Sequence, residues 1–458
     1  MKRREFLRNT ALLAAATSVN GMAAATPLPK EKENKTAKPA PDESLPLIAS
    51  APMLQNYAET SIGVAFAVNA LANGFVLFGE KPDLSDARKV KCGGYRVTDL
   101  SDRVILVRLT GLKPSTTYYY RIGADRIEYK GGYQMKVLGT ETDEHIYQFT
   151  TAGVGSKDHF CVINDTHVQW EPFGAAIDKV AQLSPSCVIW NGDASNTEED
   201  IEALMRIYLQ PGIEKKDYAA RIPYLFCPGN HDERGMANRH LELVWMYRQP
   251  EERKSRDWDL GRNFAIRMGK IAMIGLDTGE DKLDTNKIFA GLFNNEAYRE
   301  AQTIWLRDAL KQPEIASAPF LVAFCHIPLF DPRKNHNPGD IPVEEEDGRF
   351  TASFASWQRT CSRLWTPLLA EAGCQVIITA HQHHYRYDAP TAERPWAHIV
   401  GGGPNMGYSG SGENRKERPE LFPTVIEGTV KEGRLHIDVH NCVTGKVQES
   451  FTYKPRNV

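Results

Sequence analysis

Short apolar runs recur along the chain, and their spacing divides it into two regimes. Between residues 47 and 152 the runs are brief and separated by turn residues. The segments 61–68, 74–78, 104–109, 117–122 and 146–150 read as strands of an all-β region. Beyond residue 157, strand-like runs alternate with helical spacing. Ile201, Leu204, Met205 and Tyr208 fall at i, i+3, i+4 and i+7, which predicts an amphipathic helix over 198–209. Trp305, Leu306 and Leu310 mark a second helix. Trp357, Cys361, Leu364, Trp365, Leu368 and Leu369 mark a third, and these stripes read as core packing. Such alternation implies a layered α/β domain. The tail from 425 to 453 returns to strands, with hairpin turns at Lys431-Glu432-Gly433 and Thr444-Gly445.

Five apolar runs end in polar clusters. Phe160-Cys161-Val162-Ile163 leads to Asn164-Asp165-Thr166-His167, and Cys187-Val188-Ile189-Trp190 leads to Asn191-Gly192-Asp193. Tyr224-Leu225-Phe226-Cys227 precedes Gly229-Asn230-His231-Asp232; the runs 321–325 and 376–380 precede His326 and His381-Gln382-His383. In open α/β sheets ligand groups gather at the carboxyl ends of strands, so these clusters converge on one crevice. Carboxylate oxygens and imidazole nitrogens suit divalent Mn, Fe or Zn. A pair of such ions needs a bridging carboxylate and open positions for water and substrate. Taken singly, the clusters have ordinary explanations: an Asp after a strand caps a turn, and a lone His is structural. Their ordered recurrence after five strands does not. Trp170, His384, Tyr385, Arg386 and Gly401-Gly402-Gly403-Pro404-Asn405 flank the motifs and are candidates for holding substrate, with His384 alternatively supporting a ligand. The polar segment 331–350 is a candidate lid or merely a mobile excursion.

Length and charge narrow the picture further. A chain of 458 residues has room for two or three domains. No apolar run is long enough for a membrane span. Lys2, Arg3, Arg4 and Arg8, a modest apolar stretch over 10–19 and Ala23-Ala24-Ala25 have the anatomy of an export signal over 1–25. Arg3-Arg4-Glu5-Phe6-Leu7 resembles the twin-arginine export signal. Residues 26–46, rich in Lys, Glu, Pro and Ala, read as a flexible linker. The formal charge of -3 becomes -6 once the signal leaves, so no attraction to nucleic acid polymers follows. An exported, periplasmic or secreted protein could use its eight cysteines for disulfides. Cys161, Cys187, Cys227, Cys325 and Cys374 instead sit in or beside apolar runs, as buried reduced residues do. No Cys-x-x-Cys pair points to a zinc–thiolate site.

The ordered motifs over roughly 158–400 resemble the calcineurin-like metallophosphoesterase superfamily. The segment Gly111-Leu112-Lys113-Pro114-Ser115-Thr116 before Tyr118-Tyr119-Tyr120-Arg121 resembles a fibronectin type III-like sandwich, in which a Tyr packs at a corner. Such a module fronts purple acid phosphatase-like enzymes. The resemblance implies a four-layer α/β/β/α sandwich over 157–455, preceded by an all-β fibronectin type III-like sandwich over 47–152 that serves as scaffold. It implies two divalent ions, one held by Asp165, His167, Asp193 and His383, the other by Asp193, Asn230, His326 and His381, with Asp193 bridging. It also implies a catalytic His231 that donates a proton while a hydroxide held by the metals attacks phosphorus. The expected substrate is a small-molecule phosphate monoester. A phosphodiesterase acting on nucleotides or lipid headgroups stays open, as does a non-catalytic secreted binding protein; oligomeric state is open too. Two positions depart from the pattern. Ala380 stands where the family has Gly, which tightens that turn. Asn196 stands where purple enzymes place the Tyr that colours their iron, and those enzymes lack the His found here at His167. A colourless centre is therefore expected.

Overall fold

Two sheets face each other across an apolar centre, and each carries helices on its outer side. The computed structural model describes residues 44–92, 100–247, 260–282, 284, 286–330, 353–392, 394–410 and 414–457. The segment read as an export signal, most of the expected linker and the candidate lid lie outside the described residues. The first sheet runs in the order Val447–Tyr453, Arg434–Asn441, Thr424–Lys431, His159–Ile163, Cys187–Asn191, Tyr224–Cys227, Met53–Gln55, Ser61–Ala67, Val104–Thr110. The second runs Phe264–Met268, Ile271–Leu276, Phe320–Cys325, Val376–Thr379, Ala397–Val400, Arg386–Asp388. The three central strands of the first sheet are parallel, as are four of the second, from Ile271–Leu276 to Ala397–Val400.

The continuous apolar runs are explained by burial on both faces. Val162, Ile189 and Leu225 point between the sheets towards Met273, Val322 and Ile378, with Phe160 edge-on to Phe324 at 5.6 Å. Their chain neighbours Cys161, Val188 and Trp190 face outward beneath Phe173, Ile177 and Val180 of helix Trp170–Leu183 and Leu204 and Tyr208 of helix Ile201–Tyr208. On the far side Leu306 of helix Asn295–Ala309 and Trp365 and Leu369 of helix Ser353–Glu371 cover Ile274, Leu321 and Ile377. These three apolar clusters give the expected α/β/β/α order.

The front β region is bonded into this architecture. Met53–Gln55 runs parallel to Tyr224–Cys227, pairing Gln55 with Tyr224, so three front strands extend the first sheet. Ala72–Gly79, Thr117–Tyr129, Arg88–Lys91, Met135–Thr142 and Tyr147–Thr150 form the facing layer. The corner tyrosine is Tyr118, whose Oη accepts the Lys113 backbone N–H at 2.9 Å. Tyr120 Oη donates to the Ala220 carbonyl at 2.6 Å, binding the facing layer to the loop before Tyr224–Cys227.

All five sequence-predicted front strands occur, as do three predicted helices. The first begins at Ile201 rather than 198, because the Asp200 carboxylate caps it by accepting the Ala203 N–H at 2.7 Å. The turn at 431–433 is a tight hairpin with both Glu432 and Gly433 left-handed, at φ of 52° and 72°. Three front strands and the helix Trp170–Leu183 went unread. Met135–Thr142 is exposed almost throughout and so carries no inward alternation. The helix starts after Gln169, which offers no side-chain cap.

Candidate metal centre

Parallel strands from both sheets deliver the polar clusters to one place. His159–Ile163, Cys187–Asn191 and Tyr224–Cys227 end just before Asp165, Asp193 and Asn230; Phe320–Cys325 and Val376–Thr379 end before His326 and His381. Asp165, Asp193, Asn230 and His326 are fully buried. Donor atoms of Asp165, His167, Asp193 and His383 lie within 4.8 Å of one another, and so do those of Asp193, His326 and His381. Asp193 belongs to both groups. Asn230 Oδ1 lies 2.8 Å from His381 Nδ1, which brings it to the second group. His231 stands outside both, its ring 4.9 Å from that of His167.

Holding these groups together strains the backbone. Asp165, His167, Asp193, His381 and His383 all have φ between 45° and 70°, a region that side chains with a Cβ avoid. Asp165 N–H bonds to the Gly192 carbonyl and His167 N–H to that of Asp193, so the two loops brace each other. Two glycines permit the close approach. A Cβ on Gly229 would sit 2.3 Å from Asp193 Oδ1, and one on Gly192 would sit 2.3 Å from His326 Nδ1. Ala380 corrects the sequence reading. The left-handed residues are His381 and His383, not Ala380, whose N–H simply donates to the His326 carbonyl at 2.7 Å.

Neighbouring groups orient the rings. His326 Nδ1 faces the Asn191 carbonyl at 2.9 Å, turning Nε2 to Asp193 Oδ2 at 3.1 Å. His167 Nδ1 faces Asn196 Oδ1 at 2.9 Å while Asn196 Nδ2 donates to the His167 carbonyl at 3.1 Å. The two differences from the purple enzymes, Asn196 and His167, are therefore one contact: Asn196 positions His167. Asp232 accepts the N–H groups of Asp193, Gly229 and Ser195, locking the second and third loops together.

The donor set fits divalent cations. His167 Nε2 and His383 Nε2 face each other at 2.9 Å, an arrangement natural for two lone pairs directed at one cation. The buried His326 Nε2 has no hydrogen bond although it faces a carboxylate. Burial alone pushes the His326 pKa down, yet Asp193 and then Asp165 outweigh it and raise it to about 10. His381 is pushed down to about 4 by burial and by His326 beside it.

A sixth cluster escaped the sequence reading. The apolar strand Ile271–Leu276 ends in Asp277-Thr278-Gly279-Glu280-Asp281, the same signal as the other five. Asp281 Oδ2 lies 3.9 Å from His381 Nε2. Glu280 and Asp281 hold Arg234, which follows the third motif. The other candidates have partners or neighbours of their own in the fold. Tyr385 donates to Glu449; Arg386 is held by Asp388 and the Phe330 carbonyl. His384 Nδ1 sits 2.7 Å from the Gln382 carbonyl. Trp170 lines a cavity of about 430 Å³ with Gly212, Ile213, Lys215 and Met406, to which no candidate ligand contributes. Gly403 packs on His383, where a Cβ would fall 2.6 Å from its Cα.

Residues 159–385 match the family model of calcineurin-like phosphoesterases. The domain formed by these residues belongs to that family. This phosphoesterase is a metal-dependent hydrolase of phosphoric esters whose buried Asp/His cluster forms a divalent metal site. In fold it is similar to a purple acid phosphatase from yellow lupin (Lupinus luteus) seeds, with 14% identity, 89% of this chain and 75% of that chain covered, and a TM-score of 0.57. It is equally similar to PhoD, with 13% identity, 90% and 92% covered, and a TM-score of 0.57. No curated protein matches the chain in sequence. Among the described residues no helix is long and apolar enough to cross a membrane.

Proposed function

We propose that this phosphoesterase is an exported phosphomonoesterase with a dinuclear centre, in which Asp165, His167, Asp193 and His383 hold one divalent ion and Asp193, Asn230, His326 and His381 hold the other. The observation that carries this reading is the sharing of Asp193 between two donor groups. When bound, such ions supply Lewis acidity and lower the pKa of a water. The chain's own residues do the rest. Asp193 draws the two half-sites together, and Asn191 and Asn196 keep the Nε2 atoms of His326 and His167 aimed inward. His231 handles the proton of the leaving oxygen. Burial and Arg234 push its pKa down while Asp193 opposes them, so it rests neutral. A substrate dianion brought beside the ring reverses that balance, so that the ring takes up a proton from solvent and holds it for the leaving oxygen.

Export rests on the basic, twin-arginine-like start. All eight cysteines are unpaired and seven are buried, which suits a chain that folds before it is exported. The test is hydrolysis of p-nitrophenyl phosphate against bis(p-nitrophenyl) phosphate after loading with Mn, Zn or Fe. The monoester should be the better substrate, and hydrolysis of the diester alone would contradict the reading.

A further inference from the structure

The facing layer of the front region ends in a ribbon whose apolar side is turned outward. Tyr118, Tyr120, Ile122 and Ala124 of Thr117–Tyr129 point into the core. Strand alternation then puts Arg126 and Glu128 on that inward side, and Ile127 and Tyr129 on the outer one. In the partner strand Met135–Thr142, Leu138 is an extra residue, since Arg126 pairs with Gly139 and Ile127 with Val137. This bulge brings Val137 and Met135 to the outer side as well, opposite Ile127 and Tyr129. The ribbon is therefore amphipathic in reverse, with charge inward and apolar groups outward. The inward charges satisfy one another: Glu128 meets Lys130 at 3.1 Å and Lys136 at 3.3 Å.

Val137 is 56% exposed and Tyr129 52%; Met135, Leu138 and Tyr133, the last beside the Gly131-Gly132 turn, are exposed too. Five of the fifteen large apolar side chains exposed among the described residues thus fall within 129–138. Scattered hydrophobes are ordinary, but a contiguous group marks a surface that something covers. The rest of the same sheet face points to the occupant. Lys89, Leu77 and Arg121 lie side by side across three strands of it, as do Lys91, Phe75 and Gly123. Its one strand carboxylate, Asp125, is taken by Lys91 at 3.3 Å and Thr140 at 2.7 Å. Lys89 and Arg121 form no ion pair among the described residues, in a chain whose formal charge is -3. Apolar groups, tyrosines and uncompensated cations on one face suit an anionic lipid interface, where tyrosines settle at headgroup level and cations meet phosphates. A second copy suits it poorly. A two-fold contact doubles the uncompensated positive charge, and the bulge and Lys136 blunt the free edge of Met135–Thr142.

We propose that the outer face of the front layer is a docking surface for an anionic lipid membrane. The ribbon tip 129–138 enters the headgroup layer, and Lys89 and Arg121 rest on the headgroups. The chain lies on the bilayer and does not span it. Because the net charge of the whole chain is negative, attraction is confined to this face, which then sets the orientation of the docked molecule. None of these residues belongs to the candidate metal centre, so docking is independent of the metals.

The experiment uses the full chain and vesicles of phosphatidylcholine with or without phosphatidylglycerol. Tyr133→Cys carrying a polarity-sensitive dye reports on the tip, since seven of the eight native cysteines are buried and the eighth half-buried. On the anionic vesicles the chain should cosediment and the dye emission should shift to the blue. Both responses should weaken without phosphatidylglycerol and at high salt. Tyr129→Ser/Val137→Ser should lower partitioning on the order of tenfold, and Lys89→Gln about fivefold, with thermal midpoints unchanged. A wild type that stays off the vesicles overturns the proposal, as does partitioning that the paired variant leaves intact. Cosedimentation without a dye shift assigns binding to another segment, such as the basic start of the chain, and overturns it too. So does a wild type that ignores vesicles but is a dimer by light scattering and turns monomeric in the paired variant, which gives the face to a second copy.

Discussion

The nine-stranded sheet can be compared with itself. At one end, Ser61–Ala67 and Val104–Thr110 present Ile62, Val64, Phe66, Ile105 and Val107 to apolar neighbours in relaxed strands. In the middle, strands of the same sheet end in Asp165 and Asp193, two buried carboxylates on left-handed backbone. Every property that stabilises the first region is reversed in the second: charge is buried, donors face donors, and φ lies in the unfavourable region. The sheet's stable end offsets what its centre costs, which is the relation expected where a rigid scaffold carries a strained site.

Substitutions should separate these roles. The largest effect is expected from Asp193→Asn, which removes the shared oxygen donor and should lower kcat/KM on the order of a thousandfold. The metal-stripped variant should keep a urea midpoint close to that of the metal-stripped wild type, since His326 can sit neutral once it no longer faces the Asp193 carboxylate and a buried ion pair adds little net stability. Phe66→Ala should do the opposite. It opens a cavity at a fully buried ring and should cost about 3–5 kcal/mol in urea unfolding while the folded fraction keeps its KM. If Phe66→Ala alters KM, or Asp193→Asn unfolds the chain, the division fails.

Asn196→Ala sharpens the boundary between site and scaffold. Losing the oxygen that faces His167 Nδ1 should weaken metal binding roughly 10–100-fold in a chelator competition, with the thermal midpoint of the metal-free chain little changed. The smallest effect belongs to Glu427, in the same sheet, whose carboxylate is shared by His159 at 2.8 Å and His440 at 2.9 Å. Those two histidines, opposed by partial burial, lower its pKa from the ordinary 4.5 to about 2. A depressed carboxylate contributes stability above its unfolded pKa and loses it as pH falls through the folded one. Wild-type stability from this group should therefore fade between pH 4.5 and about 2. Glu427→Gln should cost about 1–2 kcal/mol at pH 6 and flatten that slope; a slope equal to wild type would show that other carboxylates dominate.

Much of this was legible in the chain because strand-end chemistry is local. An apolar run followed by Asp, Asn or His announces both the strand and what it delivers, and five such junctions named all seven residues that the fold brings together. The sixth, Ile271–Leu276 with Glu280 and Asp281, carried the same signal but lacked a metal-ligand spacing to single it out. Arg234 was invisible for another reason. A lone arginine after a motif means nothing until the chain brings Glu280 to it from 46 residues away. The joining of the front strands to the phosphoesterase sheet was also out of reach. Met53–Gln55 is a three-residue strand whose pairing with Tyr224 is long-range, and neither end of that pair advertises the other. Asn196 was noticed only as a departure, since its bond to His167 exists only once two left-handed loops are stacked.

The central claim is that Asp193 joins two metal half-sites, and metal stoichiometry tests it directly. The full chain is stripped with chelator, reloaded with Mn or Zn, freed of excess ion and measured by elemental mass spectrometry beside Asp193→Asn. The account expects about two ions per wild-type chain and fewer than one in the variant. A wild type that stays metal-free, or a variant that retains the full complement, would contradict it.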